Sequence, residues 1–206
     1  MSSSLSVYLL DVAATRALVG SGDDTLLEVI RDNYGDDMAR DDDYFSDEIE
    51  RGAPTAYEAL SAVVHGGPFS EAGQYAFQYG YAYRRLCSLT GSFLPNSNFT
   101  PHRGAWLAVV DQGLKALGIT AVSVEAFSHG GPPAPLPHTF MPGYGEWTPD
   151  HIARALEQFE TAQRAIDASG QAPPLEPEVL EAVTECLDWM RCAQARPGHG
   201  VVGFRS

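Results

Sequence analysis

Two short apolar segments at opposite ends of the chain constrain its fold most. Residues 6–10 and 201–204 are brief runs rich in valine and leucine, which are typical of β-strands. Residues 120–127 are a third candidate strand, because apolar side chains alternate along them. The longer stretches between these segments carry the spacing of amphipathic helices. The sequence therefore predicts an α+β fold that is predominantly helical, with six to seven helices and one small, mostly antiparallel sheet of about three short strands.

The helices are predicted from their start and stop signals. Asp11 and Asp23 are expected to cap the first two helices, and the second should end at Gly35. Pro54 is expected at the first position of the next helix, because the first turn leaves its N–H groups unbonded and proline has none. Later helices are predicted over residues 71–90 and from Thr100-Pro101, Thr148-Pro149 and Pro177.

The organisation of the chain is predicted to be simple. No linker divides the 206 residues, so a single globular domain over residues 1–206 is expected. Residues 36–50 form an acidic segment, expected as a loop or a poorly packed helix. Residues 129–149 contain six Pro and four Gly and are expected as a long loop. Loops of that length are uncommon in a domain unless they carry a function or are held by their own contacts.

The negative charge is concentrated near the start of the chain. The formal charge is −14, and residues 1–60 hold 14 acidic and 4 basic side chains. Such a surface repels phosphate backbones and anionic lipid, so neither direct nucleic-acid binding nor membrane binding is expected. It steers basic ligands toward itself. A basic protein is therefore the expected partner, and the candidate partner surface consists of Asp36, Asp37, Asp41, Asp42, Asp43, Asp47, Glu48 and Glu50.

Cysteine usage and hydropathy predict the compartment. The three cysteines are odd in number and form no C-x-x-C pair, as is usual for reduced thiols. No stretch approaches the roughly 20 apolar residues that span a bilayer. We therefore expect a cytoplasmic protein.

No catalytic residue, metal site or cofactor is predicted. His-Gly-Gly-Pro occurs at residues 65–68 and 129–132, but the G-x-S-x-G turn that accompanies such segments in hydrolases is missing. The six histidines show no H-x-x-x-H spacing. An EF-hand loop beginning at Asp41 fails, because Gly52 stands where a bidentate carboxylate is required. No glycine-rich loop is followed by a phosphate-binding lysine.

A tyrosine-rich segment suggests a small-ligand site. Residues 74–85 alternate aromatic residues as a strand would, but the same residues also form rows four apart, and a helix is preferred. With Arg84 and Arg85, this helix could stack against a planar ligand. A pocket under the 129–149 loop would then be lined by the candidate residues Tyr81, Arg85, His102, Arg103, Tyr144 and Trp147.

Two segments carry a family resemblance. Residues 142–149, Pro-Gly-Tyr-Gly-Glu-Trp-Thr-Pro, and residues 200–204, Gly-Val-Val-Gly-Phe, resemble an uncharacterised actinobacterial protein family. The order of elements is similar to that of the YfbM-like bacterial domain of unknown function. The resemblance implies a bacterial α+β protein. It implies no activity, so no catalytic residue is carried over.

Three functional hypotheses follow. The leading one is a non-enzymatic protein that binds a basic partner protein through its acidic N-terminal surface. The first alternative is an enzyme or small-ligand-binding protein with a pocket under the 129–149 loop. The second alternative is a mimic of nucleic-acid charge, which requires the carboxylates to lie on a rigid face.

Overall fold

The centre of the fold is a four-stranded antiparallel sheet. The computed structural model describes Ser2–Ser206. The sheet has the strand order β3-β2-β6-β5, and a separate pair joins β1 to β4. Its strands are β1 (Ser2–Ser3), β2 (Leu5–Asp11), β3 (Ser92–Phe93), β4 (His102–Arg103), β5 (Gly143–Trp147) and β6 (His199–Arg205).

Helices connect the strands and cover the sheet. Over residues 2–206 they are α1 (Val12–Arg16), α2 (Asp24–Tyr44), α3 (Ser46–Glu50), α4 (Ala56–His65), α5 (Ala76–Thr90), α6 (Trp106–Ala116), α7 (Pro149–Ser169) and α8 (Pro177–Gln194). The α+β class is confirmed, with eight α-helices in this range instead of six to seven and four strands in the main sheet instead of about three.

The two ends of the chain pair at the middle of the sheet. Strand β2 runs antiparallel to β6 from the Leu5–Arg205 pair to the Asp11–His199 pair. This confirms both predicted terminal strands. On the outer side, β3 pairs with Tyr8 and Leu9 of β2, and β5 pairs with residues 201–205 of β6.

Alternation along β2 divides the apolar side chains between two cores. Leu5, Val7 and Leu9 are buried against one face of the sheet with side chains from α6, α7 and α8. Tyr8 and Leu10 are buried on the other face with side chains from α2, α4 and α5. Because successive side chains of a strand point to opposite faces, one seven-residue strand serves both cores.

Glycines in β5 and β6 accommodate an aromatic ring. Gly145 and Gly203 are partners across the two strands, and Phe127 lies over both. A Cβ at Gly203 would lie 2.5 Å from ring atoms of Phe127, and one at Gly145 would lie 2.8 Å from the same ring. Phe127 also stacks on Trp147, with 4.9 Å between ring centroids. Because β5 contains two glycines, its residues were included in the predicted 129–149 loop. That loop in fact ends in strand β5.

The strand predicted over residues 120–127 is wrong. Its backbone amides bond to side chains instead of to a neighbouring strand. The Oδ1 atom of Asp111 accepts from the N–H of Val124 over 2.7 Å, and Oε1 of Gln158 accepts from the N–H groups of Thr120 and Ala121. The segment therefore crosses the core as an irregular chain and ends in a short 3₁₀ turn, Glu125–Ser128.

One predicted helix boundary is close and one is wrong. The backbone leaves helical geometry at Tyr34 (φ −127°, ψ 16°), one residue before the predicted end at Gly35, and a helix then resumes and runs to Tyr44, with Met38 buried. No helix begins at Thr100-Pro101, because the Thr100 hydroxyl bonds the N–H and the C=O of Leu5 instead of capping a helix. That helix starts at Trp106.

Other boundaries agree more closely. Asp11 and Asp23 accept hydrogen bonds from the first turns of α1 and α2, and Thr148 caps α7, as predicted. The helix expected from Pro54 is capped by Thr55 and starts two residues later, at Ala56. The helix predicted over residues 71–90 is confirmed from Ala76 to Thr90, with a 3₁₀ turn, Gly73–Tyr75, before it.

The contact between Phe127 and β6 predicts the effect of a small substitution. Replacing Gly203 with Ala would force the Phe127 ring to move, and we expect it to lower the free energy of unfolding by about 1–3 kcal/mol, as overpacking does. Gly35 is the control, since a Cβ there meets nothing within 4 Å. Gly35→Ala should instead stabilise α2 by about 0.5–1 kcal/mol. Urea unfolding of both variants measures this, and a Gly203→Ala protein as stable as wild type would contradict the packing.

Candidate functional site

Polar faces of α2 and α5 meet in a cleft. The second half of α2 presents Tyr34, Asp37 and Asp41, which share one helix face, and α5 presents residues 81, 84, 85 and 88 with the same periodicity. Tyr8 of β2 also lines the cleft. We call this the polar cleft; its volume is about 340 Å³, and it is lined by Tyr8, Tyr34, Asp37, Arg40, Asp41, Tyr81, Arg84, Arg85 and Ser88.

A buried arginine connects the two helices across this cleft. The side chain of Arg85 is 9% exposed, and its Nη2 atom donates to Oδ2 of Asp41. Burial lowers the pKa of Arg85, and the Asp41 carboxylate opposes that effect. The Nη1 atom of Arg85 is buried and has no hydrogen-bond partner within residues 2–206. The guanidinium is thus held by one carboxylate while part of its donor capacity is unused.

The polar cleft concentrates positive charge on a negative protein. Three of the 13 basic residues line it, Arg40, Arg84 and Arg85. Arg40 pairs with Asp37, and Arg85 pairs with Asp41. Arg84 donates to the Ser6 hydroxyl over 3.2 Å, and no carboxylate of the described chain lies within ion-pair distance of it. The lining therefore carries a formal charge of +1, three arginines against two aspartates, on a chain of −14.

A second, aromatic cleft adjoins the polar one. Phe45 lies at its centre, with ring centroids 4.6 Å from Phe77, 5.8 Å from Tyr81 and 4.8 Å from Tyr44. Tyr81 lines both clefts. We call this the aromatic cleft; its volume is about 590 Å³, and it is lined by Tyr44, Phe45, Glu48, Arg51, Gln74, Tyr75, Phe77, Tyr81, Thr139, Phe140 and Met141.

A glycine in α5 brings the 129–149 loop to the aromatic cleft. A Cβ at Gly80 would lie 2.9 Å from Pro142 and 2.9 Å from Thr139, so only glycine allows this approach. The Thr139 hydroxyl donates to the C=O of Met141 over 2.8 Å and orders the turn. Phe140, at the tip, is 72% exposed. The loop therefore forms one wall of the aromatic cleft, opposite Tyr44, which is 80% exposed.

The acidic segment is helical, and half of its carboxylates bond to other residues of the same chain. Asp37 and Asp41 pair with arginines in the polar cleft, and Glu48 pairs with Arg51. Asp42 accepts from the N–H of Ala56, at the start of α4, over 2.7 Å. The remaining four are exposed and form no ion pair with any described residue: Asp36, Asp43, Asp47 and Glu50.

The six candidate residues of the small-ligand hypothesis do not form one site. Tyr81 and Arg85 line the polar cleft together. Tyr144 is buried in the core on that side of the sheet, where its hydroxyl donates to Glu146 over 2.7 Å. Trp147 is buried in the opposite core. Alternation along β5 separates them, because residues 144 and 147 face opposite sides of the sheet.

His102 and Arg103 lie elsewhere, on the short strand β4 beside β1. His102 is buried, neither ring nitrogen has a hydrogen-bond partner in residues 2–206, and burial, aided by Arg205, lowers its pKa. It lines a cavity of about 160 Å³ with His129. Across the described residues, no three His, Cys, Asp or Glu side chains are grouped as metal ligands.

The cysteines offer no activated thiolate. All three are free. Cys87 and Cys186 are buried, and burial raises the pKa of both thiols. Because the thiolate is the reactive form, these two are poor nucleophiles. Cys192 is exposed on α8, away from both clefts.

Sequence reasoning found part of the clefts and missed the rest. It singled out the Tyr-rich helix with Arg84 and Arg85. The prediction placed Tyr34 on the apolar face of the second helix and ended that helix at Gly35, so neither Tyr34 nor Phe45 was connected to the Tyr-rich helix. The missed signal was the polar and aromatic periodicity that continues through residues 34–45 on the helix surface.

The comparisons place the chain in a family defined by sequence. The fold and the clefts describe an α+β protein with a helical layer on each face of an antiparallel sheet. The family described as a domain of unknown function, DUF7691, matches residues 1–206, and the chain belongs to it. No curated protein and no solved structure matches. The resemblance to actinobacterial proteins and to the YfbM-like domain stays a prediction.

The helices of residues 2–206 lack the character of membrane spans. No helix within the described residues combines the length and apolar character needed to cross a membrane.

The buried imidazole of His102 predicts a pH dependence of stability. Because its pKa is lower in the folded protein, the unfolded chain binds the proton more tightly, and stability should fall as the pH drops through the ordinary histidine range. His102→Gln should flatten the pH dependence of the free energy of unfolding between about pH 5 and 7. The exposed His151, changed to Gln, is the control. Equal slopes for wild type and His102→Gln in urea titrations would contradict this reading.

Proposed function

We propose that the protein is a non-enzymatic binding protein whose aromatic cleft takes up a basic segment of a partner protein. The observation that carries the proposal is the exposed aromatic cleft at the end of the acidic helix. Tyr44 and Phe140 both line it and are 80% and 72% exposed, and Phe45 lies between the rings of Tyr44 and Phe77. Large exposed apolar side chains gathered around a concavity are typical of interaction sites.

Aromatic rings provide the attractive contact for a basic side chain. The face of a tyrosine or phenylalanine attracts lysine and arginine, by about 0.5–2 kcal/mol per pair. Binding energy at protein interfaces is concentrated in a few such anchors. Six aromatic rings line the cleft: those of Tyr44, Phe45, Tyr75, Phe77, Tyr81 and Phe140.

The surrounding charge supports a basic occupant. Asp43 and Asp47 flank Tyr44 and Phe45 in the chain, and both carboxylates are exposed with no ion-pair partner in the described residues. Glu48 lines the cleft itself. Complementary charge of this kind raises the association rate and suppresses acidic partners. The proposed site therefore combines steering by carboxylates with anchoring by rings.

A peptide-binding experiment tests the proposal. The probes are synthetic twelve-residue peptides that place lysine or arginine beside an aromatic residue, with acidic peptides of matched composition as the comparison. Wild-type protein should bind basic peptides in preference, and the affinity should fall as salt rises. The combined variant Tyr44→Ala, Asp43→Asn, Asp47→Asn should lose about 30-fold in affinity, which corresponds to the loss of one interface hot spot.

A matched control comes from α8. Glu178, Leu180 and Glu181 are exposed there, and Leu180 is 50% exposed. The combined variant Glu178→Gln, Leu180→Ala, Glu181→Gln makes the same change in charge and removes a comparable apolar side chain, and it should bind as wild type does. A wild-type protein that prefers no basic peptide, or an equal loss in the control variant, would overturn the proposal.

The second candidate is a small-ligand-binding protein that uses the same cleft. It is favoured by the loop wall at residues 139–141, which covers one side of the aromatic cleft. Binding of a neutral aromatic ligand that persists at high salt would favour it over a basic segment. The charge-mimic alternative has less support, because four of the eight carboxylates in residues 36–50 are bonded to internal partners and the negative row is interrupted.

A further inference from the structure

We infer that the polar cleft is a binding site for a small ligand bearing an oxyanionic group, a carboxylate or a phosphate, held by the guanidinium groups of Arg84 and Arg85. This site adjoins the aromatic cleft and shares Tyr81 with it, but it does not depend on the function proposed for that cleft. The ligand belongs to the small end of the range, because the cavity of about 340 Å³ is near the lower limit of known ligand pockets.

The polar cleft collects positive charge. On a chain of −14, a cleft whose lining sums to +1 is a local reversal of sign. The two carboxylates in it, Asp37 and Asp41, are each already paired with an arginine. Arg84 is the cation left over, with only a neutral hydroxyl, that of Ser6, as its bonded partner. An anion entering the cleft therefore meets one guanidinium, that of Arg84, that has no carboxylate partner.

The Nη1 atom of Arg85 is a donor without an acceptor. A guanidinium offers five N–H groups in a planar fork that matches carboxylate and phosphate oxygens. The Arg85 side chain is 91% buried, and its Nη1 atom has no hydrogen-bond partner among the described residues. Leaving a buried charged donor unbonded is costly. Nη1 is closed to solvent in this structure, so an oxyanion bound by Arg84 would supply the missing acceptor once the Arg85 guanidinium turns toward the cleft.

The cleft also contains neutral hydrogen-bond donors. The hydroxyls of Tyr34, Tyr81 and Ser88 belong to side chains that line the same cavity. Burial raises the pKa of Tyr34 and of Tyr81, so both remain protonated and can donate. Hydrogen bonds from neutral hydroxyls and guanidinium groups together are the usual surroundings of a bound carboxylate or phosphate.

The lining does not favour a metal cation. Both aspartates of the cleft have arginine partners, and within the described residues no cluster of three acidic, histidine or cysteine side chains is present. A divalent ion would have to displace two ion pairs and to lie beside three guanidinium groups. The anion is therefore the occupant that the lining supports.

Calorimetric titration of the full chain tests the inference, with inorganic phosphate and succinate as separate probes and sodium chloride to match ionic strength. We expect one of them to bind. Arg84→Gln removes the charge, and it should weaken that binding by at least about 10-fold, the effect of one charged hydrogen bond. Arg84→Lys should recover part of the loss. Arg154→Gln, at an exposed position on α7, should change nothing.

The outcomes are distinct. Binding of phosphate alone supports a phosphorylated ligand, and binding of succinate alone supports a carboxylic acid. Thermal unfolding of each variant establishes that Arg84→Gln is folded. The inference is overturned if neither probe binds wild type with a dissociation constant below about 10 mM. Weaker binding cannot be told apart from the screening that any salt produces. The inference is overturned equally if Arg84→Gln binds as tightly as wild type.

Discussion

The contact between Arg85 and Asp41 holds the acidic helix against the body of the protein. Arg85 belongs to α5, which packs on the sheet, and Asp41 belongs to the second half of α2. Where the two helices meet, the polar cleft opens. Just beyond it, Phe45 reaches Phe77 and Tyr81, and the aromatic cleft begins. The buried guanidinium of Arg85, together with buried Met38 and the ring of Phe45, therefore holds a strongly acidic segment on the folded surface where both clefts lie.

The sheet explains why a short chain can support two helical layers. Strand β2 pairs with β6 along its whole length, and alternate side chains of β2 enter opposite cores. The face with α6, α7 and α8 carries no cleft lined by the acidic segment, whereas the other face carries both. Gly80 and Gly203 are two of the places where backbone comes close to a side chain, one at the cleft wall and one under Phe127.

Sequence patterns predicted the features that depend on neighbouring residues. The terminal strands and the Asp11, Asp23 and Thr148 caps follow from local spacing and local hydrogen bonds. Features that depend on distant partners were missed. Strand β5 contains glycines because Phe127 covers it. Residues 120–127 are irregular because side chains of α6 and α7 bond their amides.

The candidate sites divide in the same way. Tyr81 and Arg85, four residues apart on one helix, were predicted together and lie together. Tyr144 and Trp147 were grouped with them from one loop, but β5 sends these side chains into opposite cores. Helix α2 continues beyond Gly35 because Met38 is buried and Asp41 reaches Arg85, and neither contact is visible in a local pattern.

Hydrogen exchange of the amides in residues 36–44 tests the central role of the Arg85–Asp41 contact most directly. The account predicts slow exchange there in the wild-type protein, and faster exchange in residues 36–50 of Asp41→Ala, with exchange in α8 unchanged. Exchange in residues 36–44 of wild type at the rate of an unstructured chain, or no change in the Asp41→Ala variant, would contradict it.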